Sequence, residues 1–198
     1  MKRLGTKLHL ITWSSEPSES GGQTEEERLI EACKKGDRKA QKQVFDRLSP
    51  KMFAVCLRYM GDKETAEDVL QEGFITLFTK LDSFSGKGSF EGWARKIFVN
   101  SALMHLRKND ALSGSEDIEE ARSISATTVS PVENLGYKEL LKLIAALPDS
   151  LRTVFNMYVI EGYSHKEIAE SLGFEEVTSR SKLQRARARL QEMIKEKY

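Results

Sequence analysis

The sequence predicts an all-α protein: two small helical domains joined by a flexible linker, the C-terminal one a helix-turn-helix domain. Three observations carry this. Apolar residues recur at spacings of three and four through residues 24–108 and 131–198, and no stretch alternates as a strand would. Between these blocks, residues 109–133 hold 1 basic and 6 acidic side chains among Ser, Thr and Ala, the composition of a mobile linker. Finally, Tyr163–Leu190 reads YSHKEIAESLGFEEVTSRSKLQRARARL, two short helices about a tight turn. The expected divisions are an N-terminal tail at 1–23, a first helical domain at 24–108, an acidic linker at 109–130 and a second helical domain at 131–198.

Each element has a local reason. The tail ends in SSEPSESGGQ, a tail-like composition, and no function is assigned to it. Thr24 and Glu27 make a capping box, in which each side chain satisfies an orphan N–H of the helix start. Leu29, Ile30 and Cys33 face inward and Gly36 ends the helix. Asp37 caps the next helix, which carries Val44, Phe45 and Leu48. Ser49-Pro50 then restarts the chain, because Pro suits a first helical position. Met52, Phe53, Cys56, Leu57 and Met60 continue the core, and Gly61 closes it. Asp62 opens a helix whose buried stripe is Ala66, Leu70, Gly73, Phe74, Leu77 and Leu81. Its other side holds Glu67, Asp68, Gln71, Glu72, Ile75 and Thr79, where Ile75 is an apolar residue out of place. Such a residue among acids marks either a partner surface or one of the single exposed apolar residues common in proteins. Next come the loop DSFSGKGSF and a helix capped by Ser89, with a stripe of Phe90, Trp93, Ala94, Ile97, Phe98 and Ser101. Its polar side offers Arg95, Lys96, Asn100, Arg107 and Lys108. A flexible loop beside aromatics and cations can hold unstacked single-stranded bases; for Trp93 the core reading is favoured.

In the second block, Ser130-Pro131 with Glu133 marks a helix start. A helix through Leu140, Leu143, Ile144 and Leu147 follows. Another presents Leu151, Val154, Phe155, Tyr158 and Val159. Ser164 and Glu167 then form a capping box, Ile168, Ala169 and Leu172 give the apolar side, and Gly173 supplies the stop. The last helix buries Leu183, Ala186 and Leu190. From Thr178 to Gln191 it has five basic residues and no acidic one. Arg and Lys suit phosphates and guanine edges, and Ser, Thr and Gln suit phosphates or base edges. A helix-turn-helix with a basic second helix fits the major groove of DNA.

Composition sets bounds. Net charge is +1, so this is no globally basic nucleic-acid coat. Charge is segregated instead: +3 over 24–108, −5 over 109–133 and +2 over 134–198. The two cysteines, Cys33 and Cys56, read as reduced core residues of a cytoplasmic protein. With the scattered His9, His105 and His165 they form no metal spacing. No cofactor is expected, and no apolar run approaches a membrane span. The Leu8–Trp13 run is too short and interrupted for a signal-peptide core.

The motifs AEDVLQEGF (Ala66–Phe74), F-x-x-W-x-x-x-I-x-x-N (Phe90–Asn100) and LRK (Leu106–Lys108) resemble the second region of bacterial sigma factors. LPDSLRTVF (Leu147–Phe155), EGYSHKEIAESLG and SRSKLQRAR resemble their fourth region. With no third-region domain between them, the chain resembles the extracytoplasmic-function (ECF) group. The resemblance implies a non-enzymatic subunit that directs core RNA polymerase to promoters. Asp68, Gln71, Glu72 and Ile75 would dock on the clamp helices of the largest polymerase subunit. The Ser83–Phe90 loop and the helix after it would recognise and melt the −10 element, with Lys87, Ser89, Arg95, Lys96 and Asn100 as contacts. Thr178, Arg180, Ser181, Lys182, Gln184 and Arg185 would read the −35 element as duplex. An anti-sigma protein is a further partner the resemblance implies. Three positions depart from the family pattern: Met104 stands where many relatives have Asp, Ser179 where Val is frequent, and Glu175 where Ser caps the recognition helix.

Two other classes fit parts of the chain. A stand-alone helix-turn-helix regulator predicts a dimer and palindromic sites, and leaves the Asp62 helix without a task. A metal-dependent nuclease using the Glu64–Glu72 acids lacks a His or Lys partner.

Overall fold

The computed structural model describes residues 24–113 and 135–197. The expected tail, the linker beyond Ser113 and the Ser130–Glu133 helix start lie outside the described residues. The described residues form helices without a strand. Helix α1 (Glu25–Lys34) opens with the Thr24/Glu27 capping box and buries Ile30 and Cys33. Asp37 accepts from Lys39 N–H at 2.8 Å and begins α2 (Arg38–Met60).

Helix α2 corrects one expectation. Pro50 lies inside a single continuous helix and starts no new one. Its missing N–H leaves the Asp46 carbonyl without a ladder partner. Pro50 is exposed, so water can reach that carbonyl. On either side, buried Val44, Leu48, Met52 and Val55 hold one apolar face in register across it. Gly61 then ends α2 in the left-handed region at φ 81°.

Asp62 accepts from Thr65 N–H at 2.8 Å and starts α3 (Lys63–Thr79). Its inward stripe is Ala66, Val69, Gly73, Phe74 and Leu77; Val69 is fully buried, whereas Leu70 is only half-buried. After a 3₁₀ turn at Leu81–Ser83, α4 (Phe90–Ser113) begins on the Ser89 hydroxyl, which accepts from Gly92 N–H at 3.3 Å. Helices α2, α3 and α4 pack on one another. Phe74 makes an edge-to-face contact with Phe98, with ring centroids 5.0 Å apart.

The second block holds α5 (Leu135–Ala145), α6 (Asp149–Phe155), α7 (His165–Leu172) and α8 (Glu176–Lys197). Leu140, expected inward, is 40% exposed. Helix α6 runs into a π-helical turn at Asn156–Ile160. That wider turn shifts the helical register by one residue, so Asn156 and Met157 are buried while Tyr158 and Val159, expected inside, are exposed. The Ser164/Glu167 capping box and left-handed Gly173 bound α7 as expected.

The two blocks meet at the C-terminus of α2. A helix leaves its last four carbonyls unpaired. Here Gly61 N–H takes the Leu57 oxygen at 2.9 Å. Asn156 Nδ2 donates to Arg58 O at 2.8 Å. Arg152 donates from Nε to Tyr59 O and from Nη2 to Met60 O, both at 3.0 Å. All four are therefore satisfied, three of them by side chains from the other block. Arg152 is 1% exposed, and its Nη1 also donates to Ala145 O at 2.9 Å and Leu147 O at 3.0 Å. A Cβ on Gly61 would stand 2.9 Å from Arg152 Nη1, so Gly61 is required by this approach as well as by its φ. The buried apolar cluster of the first block continues through Val154, Met157, Ile168 and Leu183 of the second.

Candidate nucleic-acid and polymerase interfaces

The first candidate surface is the outer face of α3. Spacing of three and four puts Asp68, Gln71, Glu72 and Ile75 on one side of the helix. All four are exposed, with Ile75 at 69%. The inward stripe of the same helix is buried, so this face is presented by a rigid support.

The second surface is the loop before α4 and the helix start. Gly86 and Gly88 both sit at positive φ, 75° and 82°, which lets the chain double back at Lys87. Lys87 and Ser89 are exposed. Beneath them, Phe84, Phe90 and Trp93 pack with centroids 5.3–5.7 Å apart. Phe84 and Phe90 are buried and Trp93 is half-buried, so this aromatic group is mainly core, as expected for Trp93. A groove of about 770 Å³ opens between α1, α2 and the start of α4, with the cations Arg47, Lys51 and Arg95 and the acids Glu26 and Glu91 among its walls. On α4, Lys96 and Asn100 are exposed. Arg95 differs: its Nε stands 2.8 Å from Glu161 Oε2, without the alignment of a hydrogen bond.

The third surface is α8, a 22-residue helix about 33 Å long at 1.5 Å per residue. Arg180, Ser181, Gln184 and Arg185 are exposed, whereas Thr178 and Lys182 are half-buried. Arg180 pairs with Glu176 one turn earlier. The helix begins at Glu176, with the N–H groups of Thr178 and Ser179 closing on the Glu175 carbonyl at 3.0 and 3.3 Å. Ser179 is fully buried, and its hydroxyl lies 2.9 Å from His165 Nδ1. This bond fixes the second helix of the motif to the first residue of α7. Tyr158 stacks on His165 at 4.3 Å, and Arg187 lies 6.0 Å from the Tyr158 ring centre. Burial, then the positive charge of Arg180, holds the His165 imidazole below its ordinary value. Hydrogen bonds from Ser164 hold the Glu167 carboxyl low.

Sequence reasoning left several residues unassigned. Val177 is 69% exposed and shares a face with Arg180, Ser181 and Gln184; an apolar residue at i−3 and i−4 of those polar groups was its signal. Arg58, Arg152, Asn156 and Glu161 bond across 92 to 103 positions of the sequence, and no local pattern announces such pairs. Burial pushes the Cys56 thiol up to about 12 and raises Cys33 as well, so both stay protonated at neutral pH. Among the described residues no cluster of His, Cys, Asp and Glu could hold a metal, and no helix is long and apolar enough to cross a membrane.

Comparison with known proteins agrees with this architecture. The family described as Sigma-70 region 2 matches residues 44–112, and the one described as Sigma-70, region 4, matches residues 137–190. The chain is 30% identical over 180 residues to the ECF RNA polymerase sigma factor SigW of Bacillus subtilis, spanning 85% of this chain and 96% of that protein. It is 32% identical over 170 residues to the ECF RNA polymerase sigma-E factor of Escherichia coli, spanning 80% and 88%. Among solved structures, the sigma factor RpoE of Bartonella quintana, in complex with the anti-sigma factor NepR, is similar. Its TM-score is 0.52 at 25% identity, over 78% of this chain and 96% of that one. Two helical blocks in this order, with these matches to both, make the chain a member of the extracytoplasmic-function sigma factors, the transcription initiation factors of bacterial RNA polymerase.

Proposed function

We propose that this sigma factor divides its work among the three surfaces. Asp68, Gln71, Glu72 and Ile75 on α3 dock on the clamp helices of the largest polymerase subunit. Lys87, Ser89, Arg95, Lys96 and Asn100 contact the −10 element as it melts. Thr178, Arg180, Ser181, Lys182, Gln184 and Arg185 read the −35 element in the major groove. Residues 24–108 and 131–198 act as the two working domains and 109–130 as their tether, which makes the second DNA contact effectively intramolecular. The observation that carries the polymerase contact is Ile75, 69% exposed among acids on an otherwise well-packed helix. Melting costs on the order of 1–2 kcal/mol per base-pair step, which captured bases and phosphate contacts must offset. The groove beside the Lys87 loop supports capture through Arg47 and Arg95 on its walls with Phe90 at its base, while Lys51 there is paired with Glu91. An anti-sigma protein is a further expected partner, in view of the complex formed by the Bartonella quintana relative.

The test is binding to core RNA polymerase followed by run-off transcription on genomic fragments. Wild-type chain is expected to bind core and give new start sites. Ile75→Glu is expected to weaken core binding at least tenfold, about 1.4 kcal/mol, and Arg185→Ala to lose start sites while still binding core. Normal core binding by Ile75→Glu would remove α3 as the docking face. Binding to duplex DNA without core would point instead to a stand-alone regulator.

A further inference from the structure

Val177 is the second residue of α8 and is 69% exposed. The fold gives no reason for a valine there. It belongs to neither buried cluster, and a β-branched side chain is a weaker helix former than most straight-chain ones. At about 100° per residue, Val177, Ser181, Gln184 and Ala188 form one ridge about 60° wide, and all four are exposed. Ser179, Leu183, Ala186 and Leu190 are buried on the opposite side of the helix. The ridge is uncharged, and from Val177 to Ala188 the helix has no acidic residue. Its cations stand on the two flanks, Arg180 and Arg187 on one, Arg185 and Arg189 on the other, all exposed. Glu176 and Glu192 pair with Arg180 and Arg189; exposed pairs of this kind contribute little and can give way to a phosphate.

We infer that Val177 is a specificity-determining residue, whose side-chain methyls take the C5-methyl group of one thymine in the −35 duplex. The inference rests on the −35 role of α8 proposed above and deepens it to a single base. The major groove is about 12 Å wide, close to the diameter of a helix with its side chains, about 10–12 Å. Laid in it, α8 sets its uncharged ridge on the base edges and its flanks towards the phosphates of both strands. The N-terminal residues of such a helix contact the base edges, and Val177 is the ridge residue nearest that end. Base edges in this groove carry donors and acceptors, and the thymine methyl is the apolar group among them. The valine side chain neither donates nor accepts. A donor or acceptor covered by it would lose its water without gaining a partner, whereas against a thymine methyl both sides bury apolar surface. Ser181 and Gln184, one and two turns further on, have the hydroxyl and amide that suit neighbouring edges.

Holoenzyme assembled from core polymerase and the full chain tests this on a promoter found by run-off transcription. Each thymine of the −35 element, on either strand, is replaced in turn by deoxyuridine, which removes the methyl alone. With wild-type chain, one replacement is expected to weaken holoenzyme binding about fourfold, about 0.8 kcal/mol. Val177→Ala is expected to bind the unmodified promoter about as weakly as wild type binds the replaced one, and to be indifferent to that replacement, so that the two losses do not add. Its helicity and core affinity are expected to match wild type, because the side chain is exposed. A −35 element without thymine, or equal replacement penalties in wild type and variant at every position, would overturn the inference. So would a loss of core affinity in Val177→Ala with unchanged discrimination, which would make Val177 a polymerase contact. Arg185→Ala separates this inference from the reading beneath it. If that variant weakens −35 recognition while the penalties stay equal for Val177→Ala, only the thymine contact falls; if neither variant alters −35 recognition, the role of α8 falls with it.

Discussion

Gly73 of α3 lies directly beneath the Phe98 ring of α4. A Cβ there would lie 2.3 Å from Phe98 Cδ1, inside any real contact distance, and Phe98 is itself fully buried. Gly73→Ala is therefore expected to destabilise the first block by about 1–3 kcal/mol through overpacking, read as a lower urea midpoint with an unchanged slope. His165 makes a pH-dependent contribution. Its folded-state value is lowered, so the neutral ring suits the native state better than the unfolded one. The stabilisation is complete above the ordinary histidine value of about 6.5 and is lost as pH falls through the lowered one. Melting temperature is expected to fall below about pH 6.5, and to fall less in His165→Gln; equal acid sensitivity of the two would assign the effect to another group. Ser179 belongs to the same account. Its hydroxyl is buried, and the His165 nitrogen satisfies it.

Single elements show which signals are local enough to be read from sequence. Thr24, Asp37, Asp62, Ser89 and Ser164 were legible as helix starts because a cap involves residues within three positions. Gly61 and Gly173 were legible as stops for the same reason. Pro50 misled because Ser-Pro has one local signature whether it opens a helix or is carried inside one; only the packing of Leu48 and Met52 on one face decides between them. A proline inside a helix costs about 3 kcal/mol relative to alanine, so Pro50→Ala, which restores a donor for the Asp46 carbonyl, is expected to stabilise the chain by about 1–3 kcal/mol. A urea titration measures it, and no gain would mean that α2 is bent to suit the proline. Tyr158 and Val159 misled differently. A period of 3.6 places them inside, and the π-helical turn rotates Asn156 and Met157 there instead. The turn is linked to a requirement elsewhere, since Asn156 must reach the Arg58 carbonyl.

At the scale of the molecule, three surfaces with different chemistry sit on one helical scaffold: an acidic and apolar face on α3, a glycine loop with cations at α4, and the basic helix α8. The exposure of most residues on each face was legible because they lie close together in the sequence, whereas Arg95 meets Glu161 of the other block and Thr178 and Lys182 are half-buried. The join between blocks was not legible, because Arg58 and Glu161 are 103 positions apart and neither is unusual in its own helix. That join has a consequence for how the chain is made. Synthesis delivers Tyr59 93 residues before Arg152, an interval of about 5–20 s at ordinary translation rates. During it the first block can fold on the ribosome while the last three carbonyls of α2 face water. A nascent chain arrested before Arg152 thus holds a first block whose last α2 carbonyls are still bonded to water, and release of the finished chain is the moment at which Arg152 and Asn156 first replace that water.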